Sequence, residues 1–194
     1  MSDEESLEHE IAGAVEWLNR ERPRAGFFAW PERRLAEAGV ARTFAEAARS
    51  VPGFPLTNVQ SARRDPPDCT AQDARGHLVA IEVTELVDGE ANALAKRDRS
   101  RVVLAAWDAA KLAARLRQLL NAKDKVALLG GPYFEYIVLI HSDEDMLDAG
   151  TVEQYLEGAT FGPFKQVSRA FLLPSYDPAR CGYPYFELYS QCAG

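Results

Sequence analysis

Two carboxylates on either side of a turn are the residues of this chain best suited to do chemistry. Asp68 follows Pro67, and Glu82 stands in the segment after a turn signal at residues 73–76. If the flanking segments pair as an antiparallel hairpin centred on Arg75, Asp68 and Glu82 lie opposite each other. Like charges that face each other across a strand pair destabilise it. The spacing therefore predicts a cation or a shared proton between the two acids.

The segment that carries Glu82, residues 77–87, is the strongest predicted strand. Its side chains alternate between two faces. One face carries Val79, Ile81 and Val83, and the other carries Leu78, Ala80, Glu82, Thr84 and Leu86. Both faces are mainly apolar around the acid, which is typical of a strand covered on both sides in an α/β protein.

The remaining elements follow from hydrophobic periodicity and from the turn residues. Helices are predicted at residues 7–19, 31–38, 43–50 and 102–122, with short helices after Ser142 and at 151–157. Gly39 is expected to end the second helix, and Thr43 with Glu46 forms a capping box for the third. Further strands are predicted at residues 54–60, 68–71, 133–140, 170–173 and 183–190, the last of them at a sheet edge.

The composition is that of an ordinary soluble globular protein. The chain has 194 residues, a hydrophobic share of 47% and a net charge of −7. No apolar run is long enough to cross a bilayer, and the acidic N-terminus lacks a signal-peptide pattern. The three cysteines are scattered and form no CxxC, so a disulfide framework or a zinc knuckle is not indicated and a cytoplasmic location is expected.

The net charge of the chain and the absence of several known motifs argue against some classes of function. A net charge of −7 argues against indiscriminate nucleic-acid binding, although local basic patches matter more than the sum. One patch runs from Lys96 to Arg101, and a shorter one is Arg63-Arg64; solvated loop charges are the favoured interpretation of each. The chain contains no GxSxG, P-loop or GxGxxG motif, so serine hydrolase, NTPase and Rossmann functions are not supported.

With Pro67-Asp68 and Glu82-Val83-Thr84 placed on these elements, the chain resembles the PD-(D/E)xK nuclease superfamily, the restriction-endonuclease-like fold. The resemblance implies an α/β fold with an αβββαβ core, in which a central mixed β-sheet is flanked by helices, with extra C-terminal strands. The chain is predicted to be a single domain over residues 1–194. It would comprise a helical N-terminal region at 1–52, a nuclease-like core at about 30–141 and a C-terminal extension at 142–194.

The same resemblance implies the roles of the site residues. Asp68 and Glu82 match the ligands of a Mg²⁺ ion, for which Mn²⁺ can substitute, and the backbone carbonyl of Val83 matches a third ligand. Thr84 stands where the family has its lysine, and threonine cannot supply a positive charge. The resemblance therefore implies a relocated lysine, for which Lys111 and Lys96 are the candidates. Glu37 and Glu46 are the two options for a further acid from the first core helix, and the sequence does not choose between them.

These observations predict a metal-dependent phosphodiester hydrolase that acts on DNA or RNA. Asp68, Glu82 and Lys111 would be catalytic, and the resemblance also allows a homodimer. Four basic residues would contact the nucleic-acid backbone, namely Lys96, Arg97, Arg99 and Arg101. The alternative is a degenerate nuclease fold that serves as a binding or regulatory module. In it Asp68 would be a turn acid, and Glu82 would pair with Arg63, Arg64 or Lys111.

Overall fold

The computed structural model describes residues 33–50, 54–89, 105–144 and 146–191. Three α-helices and six strands follow one another in these ranges. In chain order they are α1 (Arg33–Ala47), β1 (Thr57–Ser61), β2 (Cys69–Gln72), β3 (Leu78–Glu85), α2 (Ala109–Lys123), β4 (Glu135–Ser142), α3 (Ala149–Leu156), β5 (Arg169–Pro174) and β6 (Phe186–Ser190). A short 3₁₀ turn, Ala48–Ser50, extends α1. The predicted helix at residues 7–19 lies outside the described ranges.

The six strands form one mixed sheet in the order in which they occur in the chain. β1, β2 and β3 are successive antiparallel neighbours. β3, β4 and β5 are parallel, and α2 and α3 connect them as crossovers. β6 returns antiparallel to β5 as the last strand in the sheet. The general expectation of an α/β protein with a mixed sheet and an edge strand near the C-terminus is confirmed.

Two hydrophobic clusters cover the two faces of the sheet. On one face, Val79, Ile81 and Val83 pack in a cluster with α1 side chains such as Phe44. On the other face, Ala80 packs in a cluster with side chains of α2 and α3 and with the β4 and β5 side chains that point to this face, such as Val138 and Leu172. The predicted alternation along β3 is therefore confirmed. Because both faces are covered over the middle of β3, Glu82 is buried there although it is charged, and this positions the site.

The helix boundaries differ from the prediction at Gly39, because α1 runs through this glycine without a break. Thr43 is an interior helical residue and not an N-cap, so the prediction of two helices is wrong. A helical glycine costs only about 1 kcal/mol relative to alanine. The apolar stripe continues across it with Val40 and Phe44, both fully buried, and this packing outweighs the cost.

Two further predicted boundaries are wrong. α2 begins at Ala109, because Asp108 caps it by accepting a hydrogen bond from Lys111 N at 2.7 Å. No helix follows Ser142 at residues 143–144. Ser142 belongs to β4, and the Glu144 carboxylate instead accepts hydrogen bonds from Asp88 N at 3.0 Å and Trp107 Nε1 at 3.3 Å. Among the described residues, no helix is both long enough and apolar enough to span a membrane.

Candidate active site

The β2–β3 hairpin has the register that the sequence predicts. Cys69 pairs with Ile81 and Thr70 pairs with Ala80, so extending the ladder by one residue sets Asp68 opposite Glu82. The turn is held by Asp73, whose Oδ1 accepts hydrogen bonds from the backbone N–H groups of residues 75 and 77, both at 2.8 Å. Asp68 and Glu82 are thereby fixed next to each other by the turn chemistry and by the two-residue period of the strands.

Asp68 is almost completely inaccessible, with 1% of its side chain exposed. Its Oδ2 accepts a hydrogen bond from the Val83 N–H at 2.8 Å, which fixes the carboxylate against β3. Its Oδ1 is buried and has no hydrogen-bond partner. Burial raises the pKa of Asp68 above its ordinary value, although the bond from Val83 and the charge of Lys123 oppose that shift.

Glu82 shows the same division between its two oxygens. Its side chain is 6% exposed, and Oε1 accepts a hydrogen bond from Lys123 Nζ at 2.7 Å. Oε2 is buried without a hydrogen-bond partner. Burial raises the pKa of Glu82, the Asp68 charge raises it further, and Lys123 opposes both effects. The facing acids therefore each present one oxygen that the described protein atoms leave unsatisfied.

Lys123 is the functional candidate that the sequence analysis missed. It lies in the last turn of α2, where a positive charge is stabilised by the helix dipole. A signal for it exists in the sequence, because Lys123 lies three residues after Leu120 and seven after Leu116, on the buried stripe of α2. Glu82 was expected to be paired, if at all, with Arg63, Arg64 or Lys111, and the structure pairs it with Lys123 instead.

Lys111 lies in the first turn of α2 and contacts other groups. Its ammonium forms an ion pair with Asp88 and donates a hydrogen bond to Ala106 O at 2.6 Å. Twelve residues separate it from Lys123, which corresponds to roughly 18 Å along a helix. The structure thus does not bring Lys111 to Glu82. The other lysine candidate, Lys96, lies outside the described residues, as do Arg97, Arg99 and Arg101.

Glu37 is the acid of the first core helix that α1 places near Asp68. The negative charge of Asp68 contributes to raising the pKa of Glu37, and burial is the largest cause. Glu37 also accepts a hydrogen bond from Arg33 Nε at 2.5 Å. Glu46 instead lines a groove with Arg180 and Tyr183 at the other end of α1. Of the two glutamates, Glu37 is therefore the one that lies near Asp68, and its role in the site stays a prediction.

The carboxylate oxygens of Asp68 and Glu82 suit Mg²⁺ or Mn²⁺ better than a metal ion that needs three or more protein side chains as ligands. In residues 33–50, 54–89, 105–144 and 146–191, no three His, Cys, Asp or Glu side chains are grouped so as to hold a metal ion. Mg²⁺ needs fewer protein ligands, because it retains several waters and is commonly bound through one or two carboxylates plus substrate phosphates. The unsatisfied oxygens of Asp68 and Glu82 would be two such ligands if a cation binds here. The Val83 carbonyl remains a predicted third ligand.

Comparisons with protein-family models, with curated proteins and with solved structures find no match to this chain. The function must therefore be argued from the geometry of the site itself.

Proposed function

We propose that this chain is a divalent-cation-dependent nuclease of the PD-(D/E)xK type. The observation that carries the proposal is the pair of facing acids, Asp68 and Glu82, each with a buried oxygen that lacks a hydrogen-bond partner. Leaving a buried charged group unsatisfied costs several kcal/mol, so a purely structural role would favour apolar or amide side chains here. A cation bound between the acids removes that cost.

The order of elements supports the same proposal. From α1 to β4 the described elements follow the order αβββαβ, with Asp68 just before β2 and Glu82 in the middle of β3. The hairpin brings the PD and ExT segments together, and α2 brings a lysine to the same place. The lysine missing at Thr84 is thus replaced, in this proposal, by one from the helix that follows the motif strand.

A bound Mg²⁺ would lower the pKa of a coordinated water and neutralise charge on the scissile phosphate. The residues of the chain prepare the site for this chemistry. The Val83 N–H fixes Asp68 so that Oδ1 faces the site, and Lys123 fixes Glu82 in the same way through Oε1. Lys123 also supplies positive charge next to the reacting phosphate, where it stabilises the charge that develops in the transition state.

The second candidate is a binding or regulatory module that has lost catalysis. The contact between Lys123 and Glu82 favours it, since at 2.7 Å the two groups already form a direct, largely buried ion pair. Thr84 in the lysine position favours it as well. In this case the acids would be structural, and the protein would bind no divalent cation at this site.

Titration calorimetry with Mn²⁺ and Mg²⁺ separates the two functions. We expect wild-type protein to bind one cation, and D68N and E82Q to lose that binding, because each removes a ligand charge. Glu187→Gln is the matched control, because Glu187 is an exposed acid on the edge strand β6 and should bind as wild type does. Cleavage of DNA and RNA substrates in Mn²⁺ then tests catalysis. Absence of cation binding in the wild-type protein would refute the nuclease proposal.

A further inference from the structure

Arg33, the first residue of α1, is an exposed residue that lies near both Glu37 and Asp68. Its Nε donates to Glu37 at 2.5 Å, and its Nη2 lies 3.8 Å from Asp68 Oδ1. That oxygen is the one without a hydrogen-bond partner, so the guanidinium is near enough for electrostatic attraction but too distant for a hydrogen bond. The hydrogen bond to Glu37 is the largest cause that raises the pKa of Arg33, and the charges of Glu37 and Asp68 raise it further.

The two members of this ion pair differ sharply in exposure. The Arg33 side chain is 76% exposed, whereas that of Asp68 is 1% exposed. Ion pairs of a solvent-exposed arginine contribute little stability, because water and salt screen them. A divalent cation carries twice the charge and bonds directly to carboxylate oxygen. It should therefore replace Arg33 at Asp68 Oδ1 at little cost to the fold.

We propose that Arg33 is the counter-ion of the cation-free site, and that it moves to a phosphate of the substrate backbone when a divalent cation binds Asp68. This inference rests on the proposed nuclease function. Once a cation lies between the acids, it repels the guanidinium, which is attached to the exposed first residue of α1. A planar guanidinium is well suited to bind a phosphate through two hydrogen bonds.

The surroundings of Arg33 fit a phosphate backbone. Residues 62–68 form a loop whose ends are joined by a hydrogen bond from Ala62 N to Asp68 O at 2.9 Å. This loop carries the exposed Arg63 and Arg64, and Ser61 Oγ, just before it, donates to Arg34 O at 3.3 Å. Four arginines thus lie on the two segments that border Asp68, in a chain whose net charge is −7. Together with the exposed Asp65 of the loop, these arginines border the acids, and their positive charges are available for a polyanion.

The first test measures Mn²⁺ affinity by calorimetry in mildly alkaline buffer, which favours the ionised form of both acids. Arg33→Gln should tighten Mn²⁺ binding about tenfold, because it removes one unit charge near 4 Å from a ligating oxygen. Arg34→Gln removes the same charge one residue away and should change the affinity by less than about threefold. Equal effects of the two variants, or weaker Mn²⁺ binding by R33Q, would overturn the proposal. If wild type binds no Mn²⁺, the proposed function fails as well.

The second test measures the affinity for a fluorescently labelled, phosphorothioate-backbone DNA duplex by polarisation, with Ca²⁺ and without it. We expect Ca²⁺ to tighten DNA binding by the wild-type protein and by R34Q, because the cation releases Arg33 toward phosphate. R33Q should lose most of this cation-dependent gain. A full gain in R33Q would show that Arg33 does not contact the phosphate and would overturn the proposal even if R33Q binds Mn²⁺ more tightly.

Discussion

Asp68→Asn should stabilise the cation-free protein and at the same time abolish its stabilisation by Mg²⁺. The amide keeps an oxygen for the Val83 N–H, which now binds Asp68 Oδ2 at 2.8 Å. It removes the buried charge opposite Glu82 and puts an N–H donor in place of the unsatisfied Oδ1. Relieving one unsatisfied buried polar group is worth about 1–3 kcal/mol. For a chain of this size that corresponds to a rise in Tm of about 2–12 °C.

Mg²⁺ should stabilise the wild-type protein and leave the stability of D68N unchanged. At a concentration 100-fold above Kd, a ligand that binds only the folded state stabilises it by about 2.7 kcal/mol. The Tm of the wild-type protein should then rise by about 5–11 °C. D68N should show no rise, because one of the two ligand charges is gone. Scanning calorimetry in EDTA and in Mg²⁺, with ionic strength matched by KCl, measures both effects.

The pH dependence of stability gives an independent check that the charge of Asp68 destabilises the cation-free protein. Because burial raises the pKa of Asp68 in the folded state, the folded protein binds more protons than the unfolded chain between pH 3.8 and the raised value. The contribution of Asp68 to stability therefore falls as the pH rises through this window, and the penalty is complete above it. Asp73, Asp124 and Asp148 have lowered pKa values and act in the opposite direction. These three contributions are the same in wild type and in D68N, so they drop out when the two free energies of unfolding are subtracted. As the pH increases, D68N should become more stable relative to wild type.

Two results would refute this reasoning about Asp68. One is a D68N protein that is less stable than wild type in EDTA at neutral pH, which would mean that the acid stabilises the fold as a structural ion pair. The other is an equal response of both proteins to Mg²⁺, which would place the cation elsewhere.

Two predictions concern other positions. Lys123→Met should lower the rate of DNA cleavage by about 100-fold, because it removes the positive charge next to Glu82, whereas Lys125→Met, at an exposed position, should leave the rate unchanged; steady-state kinetics measure both. In the K123M background, Thr84→Lys should restore part of the lost rate by supplying the ammonium from β3, and no recovery would mean that a charge at this place is insufficient. Gly39→Ala should raise the free energy of unfolding by about 1 kcal/mol in urea titrations, because Gly39 is helical and nothing lies within 4 Å of the added Cβ; a loss of stability would contradict the continuous α1.

The parts of the structure that the sequence predicted depend on local rules. The residues of the turn around Arg75 and the two-residue period of strands together determine the register, so the juxtaposition of Asp68 and Glu82 could be derived without coordinates. The break at Gly39 could not be judged locally, because α1 is held by the packing of Phe44 and its neighbours on the sheet. Tertiary packing commonly outweighs a propensity of this size.

Lys123 shows why the sequence predicted the two acids of the site but not its lysine. In the PD-(D/E)xK pattern two positions along one strand fix the acid and the lysine, so the strand period alone sets their distance. Here the charge comes from α2, and its place depends on how that helix is rotated and shifted on the sheet. The buried positions of Leu112, Leu116 and Leu120 determine the rotation, and they put Lys123 on the sheet side of α2. The stripe does not determine how far α2 is shifted along the sheet, so choosing between Lys111 and Lys123 required the folded structure. If Lys123 serves the site as proposed, activity should depend on the packing of α2 as much as on the motif itself.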